Sequence, residues 1–383
     1  MNTVLSIVIA IVGVGFLILV HEFGHFVVAK ATGMRVEEFS IGFGKYLWSR
    51  RVGETVYGVS RVPLGGYVRV TGMHAEEFEE RVRAAEENRR AQSRDPESRL
   101  TGLSAISDEE VAATPLERRY YSHPVWQRIL FIVAGVSMNV VTAFVLLFFL
   151  GTQGYFEPTT VVERVAAESA AEQAGIAPGD RIVEIAGVEI VDWADVQATV
   201  FTRPDERVVV IVERAGERLS LETVIGSRED GHGILGVGPS GEEVDPGFFE
   251  SISFAGGRTA DLFVVTFTGI KMMFTGDAPV TGSDGLAGPV GIVSISSEAV
   301  RSGYFLSFLA FISVQLAILN MLPLLPLDGG HVLFSLIEKV LGRAVSLRTF
   351  ERVSAVGISL FLLLMVVATG NDITRLFGGG LGF

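Results

Sequence analysis

His21-Glu22-Phe23-Gly24-His25 closes an apolar run that begins near residue 4, and how that stretch is read decides the fold. Two histidines four residues apart on a helix share one face, so both imidazoles can bind one metal ion. The glutamate between them can act as general base on a water held there. Two imidazoles and a carboxylate at membrane depth are unfavourable unless they face a partner or a water-filled cavity. The plainer alternative is a histidine pair hydrogen-bonded between helices. The specificity of the HExxH spacing favours the metal.

The rest of the sequence places that helix in a membrane. Of 383 residues, 49% are apolar and 20% charged, and the mean hydropathy of +0.43 is too high for ordinary soluble domains. Four runs approach the roughly 20 apolar residues that cross a bilayer: about 4–24, 129–150, 304–326 and 353–369. The first lacks a basic leader and a small-residue cleavage site, and its helical pattern continues to Lys30, so it reads as a retained span rather than a signal peptide. The stretch Leu262–Phe274 is interrupted by Lys271, with Arg258 and Asp261 just before it, and reads as an amphipathic, non-spanning helix that starts near Phe248.

Lys30, Arg35, Arg118, Arg119 and Arg128 put the segment between the first two spans in the cytoplasm. Residues 151 to about 302 then lie outside, the turn near 327–350 inside, and both termini outside. The net charge of -13 is spread between the apolar runs. With no basic cluster interleaved with aromatics, nucleic acid is not an expected partner. The absence of cysteine excludes disulfides, Fe–S clusters and thiolate zinc sites, which leaves His, Asp and Glu to hold any metal.

Catalytic zinc takes three protein ligands and keeps a fourth position open. His74, His123, His232, His331 and the acids are the candidates for the third. Topology selects Asp328, because it lies at the cytoplasmic end of the third span and so at the depth of His21; His331, one turn further on, is the reserve. The run Asn320-Met321-Leu322-Pro323-Leu324-Leu325-Pro326 holds two prolines and an amide, so its backbone should leave the helix and expose carbonyl and N–H groups. A substrate helix must unwind before its scissile amide is accessible. Asn320 and Pro323 are accordingly the candidate substrate-binding residues.

Outside the spans, residues 36–73 alternate apolar and polar positions with glycine punctuation, the pattern of a small sheet with tight turns. The charged stretch 75–118 reads as a solvated helix or a disordered excursion without chemistry. Residues 158–228 read as short strands with two helical pieces, Ala170–Ala174 and Trp193–Phe201. The turn Gly175-Ile176-Ala177-Pro178-Gly179-Asp180-Arg181-Ile182, followed by Ile185-Ala186-Gly187, resembles the signature of a PDZ domain. Such a domain binds an extended peptide by strand addition.

Taken together, these residues resemble the site-2 protease family of intramembrane metalloproteases, in the bacterial branch related to regulator-of-sigma-E protease. The resemblance runs through HEFGH at 21–25, GFG at 42–44, VPLGGYV at 62–68, the PDZ-like insert, GPVGI at 288–292 and the N-x-x-P-x-x-x-x-D-G pattern from Asn320 to Gly329. It implies Zn2+ held by His21, His25 and Asp328, Glu22 as catalytic base, Asn320 as a substrate-binding residue, and strands that guide the substrate. It also implies the second cut in regulated intramembrane proteolysis of a single-span, anti-sigma-factor-like protein in the bacterial inner membrane, with the PDZ-like insert filtering substrates by size. The second span departs from the pattern, with Gly135-Val136 where relatives have proline after the glycine, which bears on the packing role of Asn139. A single PDZ-like unit stands where some relatives have two.

The expected fold class is an α-helical polytopic membrane protein with about four transmembrane helices, a membrane-associated cytoplasmic β region and an inserted PDZ-like α+β domain. Its expected parts are the HExxH helix (1–35), the β region (36–74), a charged segment (75–128), the second span (129–150) and the PDZ-like domain (155–228). A linker with the amphipathic helix (229–302), the third span (303–335), and the turn, fourth span and tail (336–383) complete the chain. The competing functions are a non-catalytic membrane scaffold that presents a peptide-binding domain, and a metal-ion transporter, which the absence of ionisable groups from Val353–Thr369 disfavours.

Overall fold

The computed structural model describes residues 3–73, 75–92, 106–227, 232–276, 280–282, 285–343 and 345–377. Helix α1 (Thr3–Ala31) leads into strands β1 (Val36–Val52) and β2 (Thr55–Val70), helices α2 (Ala75–Gln92) and α3 (Asp108–Ala112), and helix α4 (Val125–Gly151). Next come β3 (Tyr155–Val165), α5 (Ala170–Ala174), β4 (Arg181–Ile185), β5 (Val188–Glu189), α6 (Trp193–Phe201), β6 (Arg207–Arg214) and β7 (Glu217–Val224). Strands β8 (Gly226–Ser227), β9 (Gly233–Ile234) and β10 (Val237–Val244) precede helices α7 (Phe248–Thr275), α8 (Pro289–Arg301), α9 (Phe305–Met321), α10 (Asp328–Leu341) and α11 (Leu347–Phe377). The chain forms two compact units, Leu150–Ser251 and the remainder.

Among the described residues, three helices are long and apolar enough to cross a membrane: Val4–Ala31, Val125–Gly151 and Arg348–Arg375. The other expected span, 304–326, is helical only over Phe305–Met321, 17 residues. Pro323 and Pro326 explain the break, since each removes a donor and restricts the residue before it. Leu322–Leu327 is held instead by short turn bonds, Leu322 N–H to Leu319 O at 3.1 Å and Leu327 N–H to Leu324 O at 2.8 Å. The helix then restarts as α10 at Asp328. Gly329 and Gly330 let it tuck against this segment: a side chain at Gly330 would meet the Leu325 amide nitrogen at 2.6 Å.

Strands β1 and β2 each fold back on themselves, so two long strands make four rows. Ser40 pairs with both Tyr67 and Gly58, and Gly58 pairs in turn with Ser49. Gly42, Gly44 and Gly65 sit at φ of 83°, 90° and 101° where the strands bend, values that L side chains resist. This sheet packs on the end of α1 and on α4 through Met34, Val36, Val70, Tyr120, Phe131 and Ile132.

The charged stretch 75–118 proves to be docked rather than merely solvated, over the residues that are described. Arg81 donates to Glu37 at 2.5 Å and to Asp108 at 2.8 Å, and Glu37 also accepts from Thr71. Phe78 packs on Val56, Ile106 and Val111 beneath the Arg119 guanidinium. Burying these few apolar side chains contributes about 1.5–3 kcal/mol each, which a charge-rich helix needs to stay on the sheet.

In Leu150–Ser251 the sheet order is β10-β3-β4-β6-β7, with β5 on β4. Its β10 edge comes from Val237–Val244, beyond the stretch 155–228 assigned above. The core is Val162, Ile182, Ile185, Val208, Val210 and Val212, closed by Trp193, Val196 and Val200 of α6. Asp192 and Asp195 form a capping box at the start of α6. Buried Asp180 accepts from Arg214 at 2.6 Å and from the Ala177 amide at 2.8 Å, which pins the turn before β4. The guanidinium holds this carboxyl below the usual carboxylate range.

Candidate active site

The HExxH sequence forms the last turns of α1, and the i,i+4 spacing brings His21 and His25 side by side, with Nε2 atoms 3.2 Å apart. Asp328, the first residue of α10, brings Oδ2 to 3.0 Å from His21 Nε2 and 3.3 Å from His25 Nε2. It can do so because the proline-broken segment ends the preceding helix and starts a new one there. Both histidines are buried. The sequence-nominated trio is thus one cluster, and it is the one metal-competent group of three or more His, Asp or Glu among the described residues.

The distances test whether a metal fits. Donor atoms about 2.0–2.1 Å from a tetrahedral zinc stand roughly 3.4 Å apart, close to the three separations found. Asp328 Oδ2 is buried and lacks a hydrogen-bond partner despite its two near nitrogens. An orphaned carboxylate oxygen facing two imidazoles is what a cation would satisfy. The backbone behind the rings is also cut to shape: a side chain at Gly135 of α4 would fall 2.7 Å from His25 Cε1 and 2.9 Å from His21 Cε1. Gly24 gives the reciprocal approach, since a side chain there would meet Ala134 O at 2.5 Å. Small residues on both helices let α1 and α4 close on each other.

His25 has its ring fixed from the far side, with Nδ1 2.8 Å from the Phe131 carbonyl. The Nδ1–H donates to that carbonyl and leaves Nε2 with a lone pair to share, the usual arrangement around a ligand histidine. Glu22 lies within electrostatic reach of His21, His25 and Asp328, and the Val68 amide of β2 lies beside its carboxylate. Gly66 on the same strand runs so close that a side chain there would sit 3.4 Å from Glu22 Cγ. The folded-back sheet is therefore one wall of the site.

The other sequence candidates lie elsewhere. Asn320 is half-buried in the last turn of α9, and Pro323 is exposed in the segment before α10; neither belongs to the cluster. The His331 ring lies tilted against Phe350, with ring centroids 5.6 Å apart. It lines a cavity of about 730 Å3 with Arg128, Phe334 and Glu338, which none of His21, Glu22, His25 or Asp328 lines. His123 pairs with Gln127, His232 stacks on Phe201, and His74 lies outside the described residues. The sequence reading passed over Gly66, the Val68 amide, the Phe131 carbonyl and the metal-side role of Gly135. Two of these had a visible signal, a glycine pair inside an alternating strand and a glycine inside an apolar span. The backbone donor and acceptor had none.

Comparison with known proteins gives the family of the chain. The sequence matches the profile described as Peptidase family M50 over residues 9–364. It is 31% identical to the zinc metalloprotease RasP of Bacillus licheniformis, over 98% of this chain and all of the relative. It is 30% identical to the regulator of sigma-W protease RasP of Bacillus subtilis, over 98% of this chain and 99% of the relative. A putative zinc metalloprotease of Campylobacter jejuni is 32% identical over 95% of this chain and 92% of its own length. A match that runs from within the first helix into the last, carried by relatives aligned almost end to end, means that the chain belongs to peptidase family M50.

Proposed function

We propose that the protein is an intramembrane zinc metalloprotease that hydrolyses a peptide bond in or near the transmembrane segment of a single-span membrane protein. The convergence of His21 Nε2, His25 Nε2 and Asp328 Oδ2 to 3.0–3.3 Å, beside Glu22, carries this reading. These three atoms would hold a zinc ion, which would supply Lewis acidity for the scissile carbonyl and for ionising a water near neutral pH. Glu22 takes the proton from the attacking water and returns it to the leaving amine. The Val68 amide lies beside the Glu22 carboxylate and favours its charged form.

The substrate enters unwound, because a helical amide is closed to attack. Asn320, in the last turn of α9, and Pro323, in the interrupted stretch before Asp328, orient it. The chain crosses the bacterial inner membrane four times, with Phe305–Met321 as the short span and the active site near the cytoplasmic face. Residues 155–228, extended by β10, form an extracytoplasmic PDZ-like domain that binds a peptide end and excludes substrates with intact outer domains. The substrate is anti-sigma-factor-like and this is its second cut, a reading in keeping with the name of the Bacillus subtilis relative, regulator of sigma-W protease.

The test compares wild type with Glu22→Gln, purified in detergent, for bound zinc and for cleavage of a defined single-span substrate. Both should hold about one zinc per chain and only the wild type should cleave, with a loss of at least ~100-fold for a positioned general base. Equal cleavage by the two, or a wild type without zinc, would overturn the reading.

A further inference from the structure

Asn139 is a fully buried amide of α4 that the mechanism above does not use. Its Nδ2 lies 3.3 Å from His21 Nδ1, and its Oδ1 is buried without a hydrogen-bond partner. Its backbone carbonyl accepts from Ser313 of α9 at 2.8 Å, so the residue is anchored between two helices independently of its amide.

A neutral imidazole carries one N–H. If His21 gives its Nε2 lone pair to a metal, the hydrogen sits on Nδ1 and needs an acceptor. His25 uses the Phe131 carbonyl for this purpose; at His21 the facing group is the Asn139 amide. Turned half a revolution about its last bond, the amide presents Oδ1 to His21 Nδ1–H. In the orientation found, Nδ2–H donates to a bare Nδ1. That orientation suits the opposite tautomer, in which Nε2–H points at Asp328 Oδ2, 3.0 Å away. One amide thus matches the metal-free and the metal-bound imidazole.

We infer that Asn139 is the positioning residue for His21, presenting Oδ1 to Nδ1–H so that Nε2 is free to bind the metal. The inference rests on His21, His25 and Asp328 being the metal site. Leucine at 139 could serve neither tautomer, whereas aspartate could serve the metal-bound one, because a carboxylate accepts.

The experiment loads full-length wild type, Asn139→Leu and Asn139→Asp with Zn2+ in detergent and titrates each with a chelator. It also records the visible spectrum of the Co2+ forms and the thermal midpoint of the metal-free forms. Asn139→Leu should release zinc at ~10–100-fold lower chelator concentration and shift the Co2+ spectrum, while Asn139→Asp stays within about threefold of wild type. Ser313→Ala loosens the same helix contact without touching the amide; it should lower the midpoint and leave zinc retention unchanged. Asn139→Leu retaining zinc like wild type would overturn the inference, as would Asn139→Asp failing as badly as leucine, since shape and not the acceptor would then matter. A wild type that holds no zinc would sink the metal reading itself, a distinct result.

Discussion

The unit Leu150–Ser251 and the remainder of the chain bury their side chains for different reasons. In the smaller unit, Val208, Val210 and Val212 alternate with less buried neighbours along β6 and meet Ile182 and Ile185 of β4 in one apolar core. Water drives that arrangement, and every inward methylene adds to it. In the helices α1, α4 and α11 apolar residues face outward as often as inward: Val4, Val12, Val141, Phe361 and Val366 are all exposed. Apolar burial does not sort these faces in a membrane, so packing there falls to small residues and to a few polar contacts. Glycines at 24 and 135, the serine at 313 and the histidine pair then carry information that the leucines and valines around them do not.

This contrast can be tested by perturbing one kind of packing and watching the other. The largest effect should come from Asp328→Ala, which removes a proposed ligand and leaves two imidazoles facing each other. Zinc content measured by metal analysis should fall to background and cleavage by at least ~1000-fold, an amount typical of losing a core part of a catalytic unit. Removing zinc by chelator dialysis should silence the wild type reversibly, whereas no added metal should revive the variant.

Ile182→Ala should instead destabilise by about 3 kcal/mol through the cavity left in the small core. Calorimetry should show it as a lowered transition, with zinc retention unchanged. If zinc retention fell with it, the division of labour between the two kinds of packing would be broken. Gly135→Ala reverses the pattern, because its methyl would lie within 2.9 Å of both imidazole rings. Zinc affinity by chelator competition should drop about 10–100-fold, as for loss of an orienting contact, while the smaller unit melts as before.

The smallest effect concerns Glu54 at the turn between β1 and β2. Arg118 at 2.7 Å and Lys30 at 2.9 Å hold its carboxyl down to about 2. A depressed folded-state value stabilises above the unfolded one and is lost as pH falls through the window from 4.5 toward 2. Since the pair is partly solvated, Glu54→Gln should cost about 1 kcal/mol at pH 7, with a gap to wild type that closes as the acid limit is approached. A pH-independent gap in denaturant titrations would remove the charge from the explanation.

Much of the candidate site was legible in the sequence. HExxH on an apolar helix names its own chemistry, and Asp328 followed from asking which acid reaches the depth of His21. The boundaries Ala170–Ala174 and Trp193–Phe201 were also readable, because caps and turns act locally. The edge strand β10 was hidden by its composition: Val237-Gly238-Pro239-Ser240-Gly241-Glu242-Glu243-Val244 looks like a linker until β3 supplies its partner. The docking of α2 and α3 was hidden too, since the pairing of Arg81 with Glu37 spans 44 residues and charge alone does not name a partner. Asp372 shows the same limit. It accepts from the Gly288 and Gly291 amides at 3.0 and 2.9 Å, capping α8 from 81 to 84 residues away.

By itself, then, the sequence determined which groups can do chemistry here and on which kind of element each sits, because residue type, periodicity and proline are properties of a short stretch of chain. Only the tertiary structure decided that Gly135 makes room for both imidazoles, that the Phe131 carbonyl holds His25, that the Val68 amide lies beside Glu22, and that an amide on α4 faces His21. Two of these use backbone groups, present at every residue and so invisible in a sequence, and all of them cross separations that no local pattern encodes.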